Sequence, residues 1–206
     1  MIRILGRDDS INVRKVLWCC EELGLAFERE DFGGQFGKTG TPEYRSLNPN
    51  GLVPTILDGD LAIWESNTIL RYLAAKYGGG PLYGGDPGRR SQIEQWMDWQ
   101  LSVVAPPMTA VFINLIRLPE DQRDMGAVEK NRDLLARAMT LLDGELGDGP
   151  HMLGRDFTLA DIPLGVVANR WFELPIGRET LNNLARYYGT LRERAGYARF
   201  VACGIP

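Results

Sequence analysis

Apolar residues in the first third of the chain alternate between the spacing of strands and the spacing of helices. Residues 2–5 form a short apolar run typical of a strand, and residues 16–23 place apolar side chains on one face of a helix that Gly24 can end. Residues 26–32 then favour a second strand. This order of strand, helix and strand predicts an α/β unit at the start of the chain.

Two further apolar runs, 53–57 and 61–64, flank the turn sequence Asp58-Gly59-Asp60 and predict a β-hairpin. Pro54 lies inside the first run. Because proline has no N–H to donate to a sheet, it marks an edge strand, a bulge or a cis bond. The residues alone leave these three alternatives open.

A helix should follow the hairpin directly. Ser66 suits its N-cap, and apolar residues recur at helical spacing until Gly78. Residues 42–47 favour a short helix before the hairpin. Residues 1–77 are therefore expected to form a β-α-β unit followed by a β-β-α unit.

The second half of the chain carries only helical patterns. Residues 78–88 hold six glycines and two prolines and predict a linker without lasting helix or strand. In the helical region expected over 89–206, residues 93–104 lead to Pro106-Pro107, where a helix should kink or restart. Residues 134–142 form the apolar face of another helix.

The start of one helix in the second half is specified in several ways. Thr158 as N-cap and Asp161 three residues later resemble a capping box, with Phe157 and Ile162 at the staple positions. Pro163 should then cost this helix one backbone hydrogen bond.

The totals exclude several classes of function. The 206 residues carry a net charge of -4 without a basic block, which argues against nucleic-acid binding. The sequence shows no run of about 18 apolar residues and no secretory signal at its start, so a cytoplasmic protein without membrane contact is expected. A single histidine, His151, excludes a zinc site with two histidines and makes a Ser-His-Asp triad improbable. No metal is expected.

Three cysteines form neither a C-x-x-C pair nor a disulfide framework, which fits a reducing compartment. Cys19 and Cys20 lie about 14 Å along the first helix from its start, too far to act there. We expect them to pack in the core, and we expect His151 in a surface loop.

Ser10 lies where the loop after the first strand enters the first helix. It is either an N-cap or a hydroxyl that donates to an anion at the positive end of the helix dipole. Asn12 is either a second polar group of this site or a solvated residue of the first turn. Asp8 and Asp9 would oppose an anion here, so we expect both to face solvent.

The pair Glu65-Ser66 has two similar interpretations. It either caps the third helix, or Ser66 holds a carboxylate while Glu65 binds an ammonium group, as an α-amino acid would require. The nearby segment 33–39 nearly matches a phosphate-binding loop, but Phe32 stands where the first glycine of the motif is needed. Nucleotide hydrolysis is therefore not expected.

Over nearly its whole length the chain resembles the glutathione transferase family, in its soluble theta-like and phi-like serine type. The resemblance rests on "LNPNGLVPTILDGDLAIWES", a Gly/Pro linker and "FTLADIPLG", in that order. It implies an α/β thioredoxin-like N-terminal domain, an all-α C-terminal helical domain, glutathione as cosubstrate and a homodimer.

The resemblance also implies roles for individual residues. Ser10, in a Ser-x-Asn pattern with Asn12, would activate the glutathione thiol. Pro54 would be cis, with the Val53 backbone pairing with the cysteinyl part of glutathione. The residues implied to complete the glutathione site are Glu65 and Ser66 at the γ-glutamyl end and Lys38 near the glycyl carboxylate.

The second substrate is expected to be an apolar electrophile. Its pocket should lie between the Gly6–Asp9 loop, which includes Arg7, and helical residues such as Met108, Phe112 and Trp171. Glutathione-dependent reduction, dehalogenation or ether cleavage on the same fold is the alternative within enzymology. A noncatalytic carrier of glutathione or hydrophobic ligands is the alternative outside it, and retention of Ser10 favours catalysis.

Overall fold

The chain, described for residues 1–205 by a computed structural model, begins with a four-stranded mixed sheet. Its strand order is β2-β1-β3-β4, with β1 parallel to β2 and the other neighbours antiparallel. Ile4 of the inner strand β1 is fully buried and pairs with Ile56 of β3. The strands are β1 (Ile2–Leu5), β2 (Phe27–Glu30), β3 (Thr55–Asp58) and β4 (Leu61–Trp64).

Three helices connect and cover these strands. A parallel pair needs a crossover, and α1 supplies it between β1 and β2. The short helix α2 has the limits that the sequence predicts, and Thr41 caps it by accepting a hydrogen bond from the Tyr44 N–H at 3.3 Å. The helices of this part are α1 (Ile11–Glu22), α2 (Pro42–Leu47) and α3 (Ser66–Lys76).

The hairpin and the helix after it differ slightly from the sequence prediction. Strand β3 begins at Thr55, so Val53 and Pro54 lie just before the strand rather than inside it. The Val53-Pro54 bond is cis, as the resemblance implies. Ser66 is the first residue of α3, and Glu65 holds the cap position with a φ of 68°. A side chain in that conformation is strained, which local preferences alone do not predict.

The glycine-rich segment after α3 is more ordered than its composition predicts. Gly80–Tyr83 forms the short helix α4, and Leu82 and Tyr83 are buried. The Leu159 N–H donates to the Leu82 carbonyl at 2.9 Å, so contacts with the helical region outweigh the weak helix preference of glycine. Helix α5 already begins at Pro87. The domain limits 1–77, 78–88 and 89–206 stay predictions.

Helices make up nearly all regular structure after this point. They are α5 (Pro87–Trp99), α6 (Ala105–Phe112), α7 (Met125–Leu146), α8 (Asp161–Glu173), α9 (Asn182–Arg192) and α10 (Ala195–Phe200). The π-helical segment Gln100–Val104 joins α5 to α6, and a second one, Ile113–Arg117, extends α6, so that the three form one continuous helical run. The helix therefore continues through Pro106-Pro107 without the predicted break. In a regular helix the proline rings would clash with backbone carbonyls of the preceding turn, and the wider π turn before the prolines makes room for them.

The helical run Pro87–Arg117 is long and apolar enough, by length and composition, to cross a membrane. The sequence prediction overlooked it because polar but uncharged side chains interrupt the apolar residues. Its buried residues, Met97, Val104 and Met108 among them, belong to the protein core. A buried core helix passes the same test, so the expected absence of membrane contact stays a prediction.

Helix α8 begins later than the capping-box pattern predicts. Its first residue is Asp161, after a turn in which the Asp161 N–H donates to the Thr158 carbonyl at 3.0 Å. The Asp161 carboxylate still accepts from the Thr158 N–H, at 2.7 Å. Pro163 is therefore the third residue of the helix, where no intrahelical partner for an N–H exists, and its ring costs no hydrogen bond.

One hydrophobic core extends through both parts of the chain. Trp18 of α1 is fully buried, and a side chain at Gly165 of α8 or Gly196 of α10 would meet its indole ring at 3.0 Å or less. These close approaches hold α1 against the helical region. The candidate site lies at that junction.

Candidate functional site

Ser10 occupies the N-cap position of α1 without using its side chain as a cap. Its main-chain carbonyl accepts a hydrogen bond from the Arg14 N–H at 2.9 Å, and this is where the helix begins. The residue is 8% exposed, and the first turn of α1 contains no acidic residue. The hydroxyl thus stands at the positive end of the helix dipole without a capping hydrogen bond of its own.

The two carboxylates beside Ser10 differ from each other. Asp8 is exposed as expected, whereas Asp9 is only partly exposed and forms ion pairs with Arg7 and Arg117. Partial burial opposes ionisation of Asp9, but its bonds to both guanidinium groups outweigh this and hold its pKa below the ordinary value. The negative charge near the site is therefore neutralised.

A cavity of about 60 Å³ brings together most residues predicted for the glutathione site. Its walls include Asn12, Val53, Pro54, Glu65 and Ser66, which come from α1, the segment before β3 and the start of α3. Three residues of the preceding loop also line it and were not predicted: Asn48, Asn50 and Leu52. Their sequence, Asn-Pro-Asn before the hairpin, was used only as part of the resemblance.

Lys38 and Ser10 do not line this cavity. The Lys38 ammonium donates to the Asp31 carbonyl at 3.1 Å and lies 4.9 Å from the centre of the Phe32 ring. Lys38 and Glu65 are the two non-glycine residues with positive φ within 1–205, both at 68°. Such strained backbone is concentrated at functional sites, and both residues are among those predicted for the glutathione site.

A chain of polar contacts runs under the cavity. The Ser66 hydroxyl donates to Asn12 Oδ1 at 3.3 Å, and the Lys15 ammonium approaches Ser66 Oγ at 3.5 Å and Gln100 Oε1 at 3.0 Å. Lys15 is 1% exposed and also contacts Asn67 Oδ1 at 3.4 Å. The start of α3 is thus connected to the helical run through one buried lysine.

Sequence reasoning missed Lys15. Burial lowers the pKa of its ammonium group to about 7, although Glu65 opposes this shift with its negative charge. In the sequence, Lys15 stands among residues of a helix that carries basic side chains at 14 and 15, a pattern typical of a solvated surface. Only the packing of α1 under α3 and the helical run buries it.

A second cavity of about 60 Å³ adjoins the first at Asn12, which lines both. Met108, predicted for the second-substrate pocket, lines this cavity, as do Lys15 and Arg170. Phe112 lies beside it, and the Arg170 guanidinium stacks 3.8 Å from the centre of the Phe112 ring. Trp171 is 1% exposed and does not line the cavity.

Arg170 is a further residue that sequence reasoning missed. It is 8% exposed, and its guanidinium forms no ion pair or hydrogen bond with any residue that the structure describes. Burial lowers its pKa to about 9, and the positive charges of Arg14, Arg117 and Arg7 add to this shift. The group still carries its charge at neutral pH.

The remaining nucleophilic groups lie elsewhere. Cys19 and Cys20 are fully buried in the core, as predicted, and burial raises the pKa of the Cys20 thiol to about 12. His151 lies in the loop before α8, partly buried, with Nδ1 2.8 Å from the Arg155 carbonyl oxygen. Between residues 1 and 205, no group of three or more His, Cys, Asp or Glu side chains is arranged to hold a metal ion.

The sheet order, the cis-proline before β3 and the helical region behind it define a thioredoxin-like protein with an all-α second part. A family model described as the N-terminal domain of glutathione S-transferases matches residues 9–76. "Glutathione S-transferase GstB" of Escherichia coli K12 is 36% identical over 203 residues, which cover 98% of each chain. The chain belongs to the glutathione S-transferase family, which confirms the predicted family, fold class and enzyme class.

Solved structures agree with this assignment. A theta class glutathione S-transferase from Xanthomonas axonopodis pv. citri, solved with glutathione bound, is 42% identical. It superimposes with a TM-score of 0.95 and covers 100% of this chain and 99% of its own. Glutathione transferase F2 from Populus trichocarpa is 25% identical, with a TM-score of 0.85 and coverage of 98% and 97%.

Proposed function

We propose that this glutathione transferase uses the Ser10 hydroxyl to activate the thiol of glutathione for attack on an electrophile with a largely apolar body. One observation carries the proposal: Ser10 stands at the N-cap of α1, but its hydroxyl makes no capping hydrogen bond. A serine kept at this position only to cap the helix would bond to an N–H of the first turn.

Glutathione would lie along the first cavity. Glu65 would bind the α-ammonium group, and the Ser66 hydroxyl and first N–H groups of α3 would hold the α-carboxylate. The main chain of Val53 would pair with the cysteinyl residue, and Lys38 would reach the glycyl carboxylate. The cavity lined by Asn12, Val53, Glu65 and Ser66 supports this placement, as does the relative solved with glutathione.

Ser10 would act by stabilising the thiolate rather than by removing its proton. A thiol with a pKa near 8.5 is mostly protonated at neutral pH, and lowering that pKa by about two units needs roughly 2.7 kcal/mol. One charge-assisted hydrogen bond together with the helix dipole can supply this amount. The proton leaves to solvent, the sulfur forms a bond to the electrophilic carbon, and the leaving group departs with its bonding electrons.

The test of Ser10 follows thiolate absorbance against pH in the glutathione complexes of the wild-type protein and of Ser10→Ala. The thiol in the variant should titrate at higher pH and turnover should collapse, because the hydrogen bond to the thiolate is lost. The free energy of unfolding should fall by well under the ~1 kcal/mol that loss of a serine cap costs. Coincident titration curves would refute the role of Ser10.

Two further variants complete this experiment. Asn12→Ala serves as the matched comparison, and a titration shift in that variant alone would assign thiol activation to Asn12. Glu65→Ala should keep the thiol pKa but weaken the rise in melting temperature that glutathione causes, because binding to the folded state alone stabilises it. Turnover of an electrophile panel distinguishes transfer from reduction, dehalogenation, ether cleavage and noncatalytic binding.

The other expected properties are proposals of the same kind. We infer a homodimer, which the family relationship and the exposed apolar side chains of α7 support, and a cytoplasmic location without nucleic-acid or membrane partners. No metal takes part in the proposed reaction.

A further inference from the structure

The second cavity is lined by two basic side chains and, among the residues that the structure describes, by no acidic one. Among its ten lining residues are Lys15 and Arg170, and none of the ten is acidic. Lys15 contacts only neutral oxygens, those of Ser66, Asn67 and Gln100. Burial lowers the pKa of Lys15 to about 7, whereas Arg170 keeps its charge at neutral pH. Buried charges are normally paired, so the Arg170 guanidinium beside this cavity needs an explanation.

Of the two basic residues, Arg170 gives the stronger indication of a bound anion. Two other arginines near the site, Arg7 and Arg117, share the acidic partner Asp9, and Arg14 donates to the carbonyls of Asp8 and Gly204. Within residues 1–205, the Arg170 guanidinium contacts the face of the Phe112 ring at 3.8 Å and no polar partner, although the residue is more than nine-tenths buried. Stacking on an aromatic ring leaves the edge of a guanidinium with its fork of N–H donors able to bind a planar anion.

The position and size of the cavity limit what that anion can be. It begins at Ile11 and Asn12, the residues directly after Ser10, and it adjoins the proposed glutathione cavity at Asn12. Its volume of about 60 Å³ is room for roughly two water molecules, which suits a carboxylate and not a large group. The rest of an electrophile would lie towards Met108 and the Phe112 ring.

We infer that the second substrate carries a carboxylate, or a planar anion of similar size, which Arg170 binds in the cavity beside Asn12. This inference rests on the proposed transferase function and specifies its second substrate: an electrophile with an apolar body and an anionic end. Arg170 is then a specificity-determining residue, because it binds a part of the substrate remote from the reacting carbon.

The test compares two aryl chlorides of nearly the same shape, one with a charged and one with a neutral end. One is a chlorodinitrobenzoate with chlorine para to the carboxylate, and the other is the matching chlorodinitrobenzamide. In both, the glutathione sulfur forms a bond to the ring carbon, chloride leaves with the bonding electrons, and the thiol proton goes to solvent. Dividing each kcat/KM by the uncatalysed rate with glutathione removes the difference in intrinsic reactivity.

The wild-type protein should prefer the carboxylate after this correction. Arg170→Met should lower kcat/KM for the carboxylate about tenfold while changing that for the amide less than about twofold, because one charge-assisted contact is lost. Arg170→Lys should retain part of the preference, since it keeps the charge but not the fork of donors. Arg117→Met is the matched control, because it removes a cation that stacks on the same ring but is already paired, and it should leave the preference unchanged.

A measurement on the wild-type protein alone guards against a variant that fails to fold. A dinitrobenzoate without chlorine should inhibit competitively against the electrophile at about tenfold lower concentration than the dinitrobenzamide. Equal inhibition by both, or equal loss of both activities in Arg170→Met, would overturn the inference. So would a rise in the KM for glutathione in Arg170→Met, because the cavity would then serve glutathione itself.

Failure of the proposed function gives a different result. If the wild-type protein transfers glutathione to the amide in a Ser10-dependent manner but shows no preference for the carboxylate, only the inference about Arg170 is wrong. If it accelerates neither reaction, the transferase proposal fails and the inference falls with it.

Discussion

Asn12 connects the two halves of the candidate site. It lines both cavities, and its side-chain oxygen accepts a hydrogen bond from Ser66. This contact engages Oδ1 and leaves the amide N–H groups to donate to a ligand. The side chain of Asn12 is therefore oriented by Ser66 at the start of α3, whereas the Ser10 hydroxyl makes no capping hydrogen bond.

Lys15 gives a prediction for the pH dependence of stability. Its pKa is lowered from 10.5 to about 7 in the folded protein, so between these values the unfolded chain binds the extra proton. The cost of burying the ammonium is fully present below about pH 7 and is relieved as the pH rises toward 10.5. The free energy of unfolding of the wild-type protein should therefore rise relative to that of Lys15→Met, by at most about 1.4 kcal/mol per pH unit.

Thermal unfolding at several pH values between 6.5 and 9 provides the measurement, with that interval set by the lowered pKa. The exposed Lys130 serves as control, because Lys130→Met should shift the melting temperature equally at every pH. If the melting temperatures of the wild-type protein and Lys15→Met differed by the same amount at every pH in the interval, Lys15 would not titrate there.

At the scale of the elements, the hairpin and α3 are joined by one carboxylate. Asp58, the last residue of β3, accepts hydrogen bonds from the Tyr72 and Tyr77 hydroxyls at 2.7 Å each and from Lys76 at 2.6 Å. Tyr72 and Lys76 come from the second half of α3, and Tyr77 is its C-cap residue. The contact holds the C-terminal end of that helix against the sheet, while its N-terminal end carries Ser66.

Asp58 predicts a specific loss of stability in acid. Hydrogen bonds from Lys76 and then from Tyr77 and Tyr72 lower the pKa of Asp58 from 3.8 to about 2. The stabilisation is complete above pH 3.8 and disappears as the pH falls to about 2. Asp58→Asn should lower the free energy of unfolding at pH 7 by about 1–2 kcal/mol and flatten the pH dependence between these values.

Chemical denaturation of both proteins across this acid range measures the difference. Asp60→Asn is the matched control, since Asp60 is exposed in the same turn. This substitution should change neither the free energy of unfolding at pH 7 nor its dependence on pH. Parallel curves for the wild-type protein and Asp58→Asn would contradict the assignment.

The whole molecule exposes apolar side chains that its own fold leaves uncovered. Leu134 and Leu141 are 45% and 49% exposed on one side of α7, and Leu101 and Val103 are exposed on the helical run. The sequence prediction placed Leu134 and Leu141 on a buried face, but burial in α7 centres on Leu135, Met139 and Leu142. The apolar surface of α7 is thus wider than the part that the core covers. Its exposed part is suited to contact with a second copy of the chain.

The homodimer can be tested with a pair of substitutions on α7. Leu134→Glu with Leu141→Glu should convert a dimer into a 23.0 kDa monomer in light scattering at micromolar concentration, because two carboxylates would be buried at the interface. Thr140→Glu adds one carboxylate on another side of the helix and should leave the dimer intact, whereas each of the two leucine substitutions made singly should weaken it. A wild-type protein that is monomeric at this concentration would contradict the proposal.

The sequence by itself determined the elements and their order. Gly24, Asp58-Gly59-Asp60 and Gly78 set the ends of local elements, because turn and capping preferences act within a few residues. The motifs around Pro54 and Asp161 were specific enough to indicate the family before any contact was known. Local patterns also placed α2 at its observed limits.

Only the tertiary structure decided which polar groups are buried and which of them lack partners. Lys15 and Arg170 belong to helices separated by most of the chain, and no local pattern distinguishes them from solvated basic residues. Their burial arises because α1 packs between α3 and the helical region, a contact between residues far apart in sequence. The sequence likewise does not show whether the Ser10 hydroxyl caps α1. In the structure the Ser10 carbonyl accepts the first hydrogen bond of the helix, and the hydroxyl makes no capping bond.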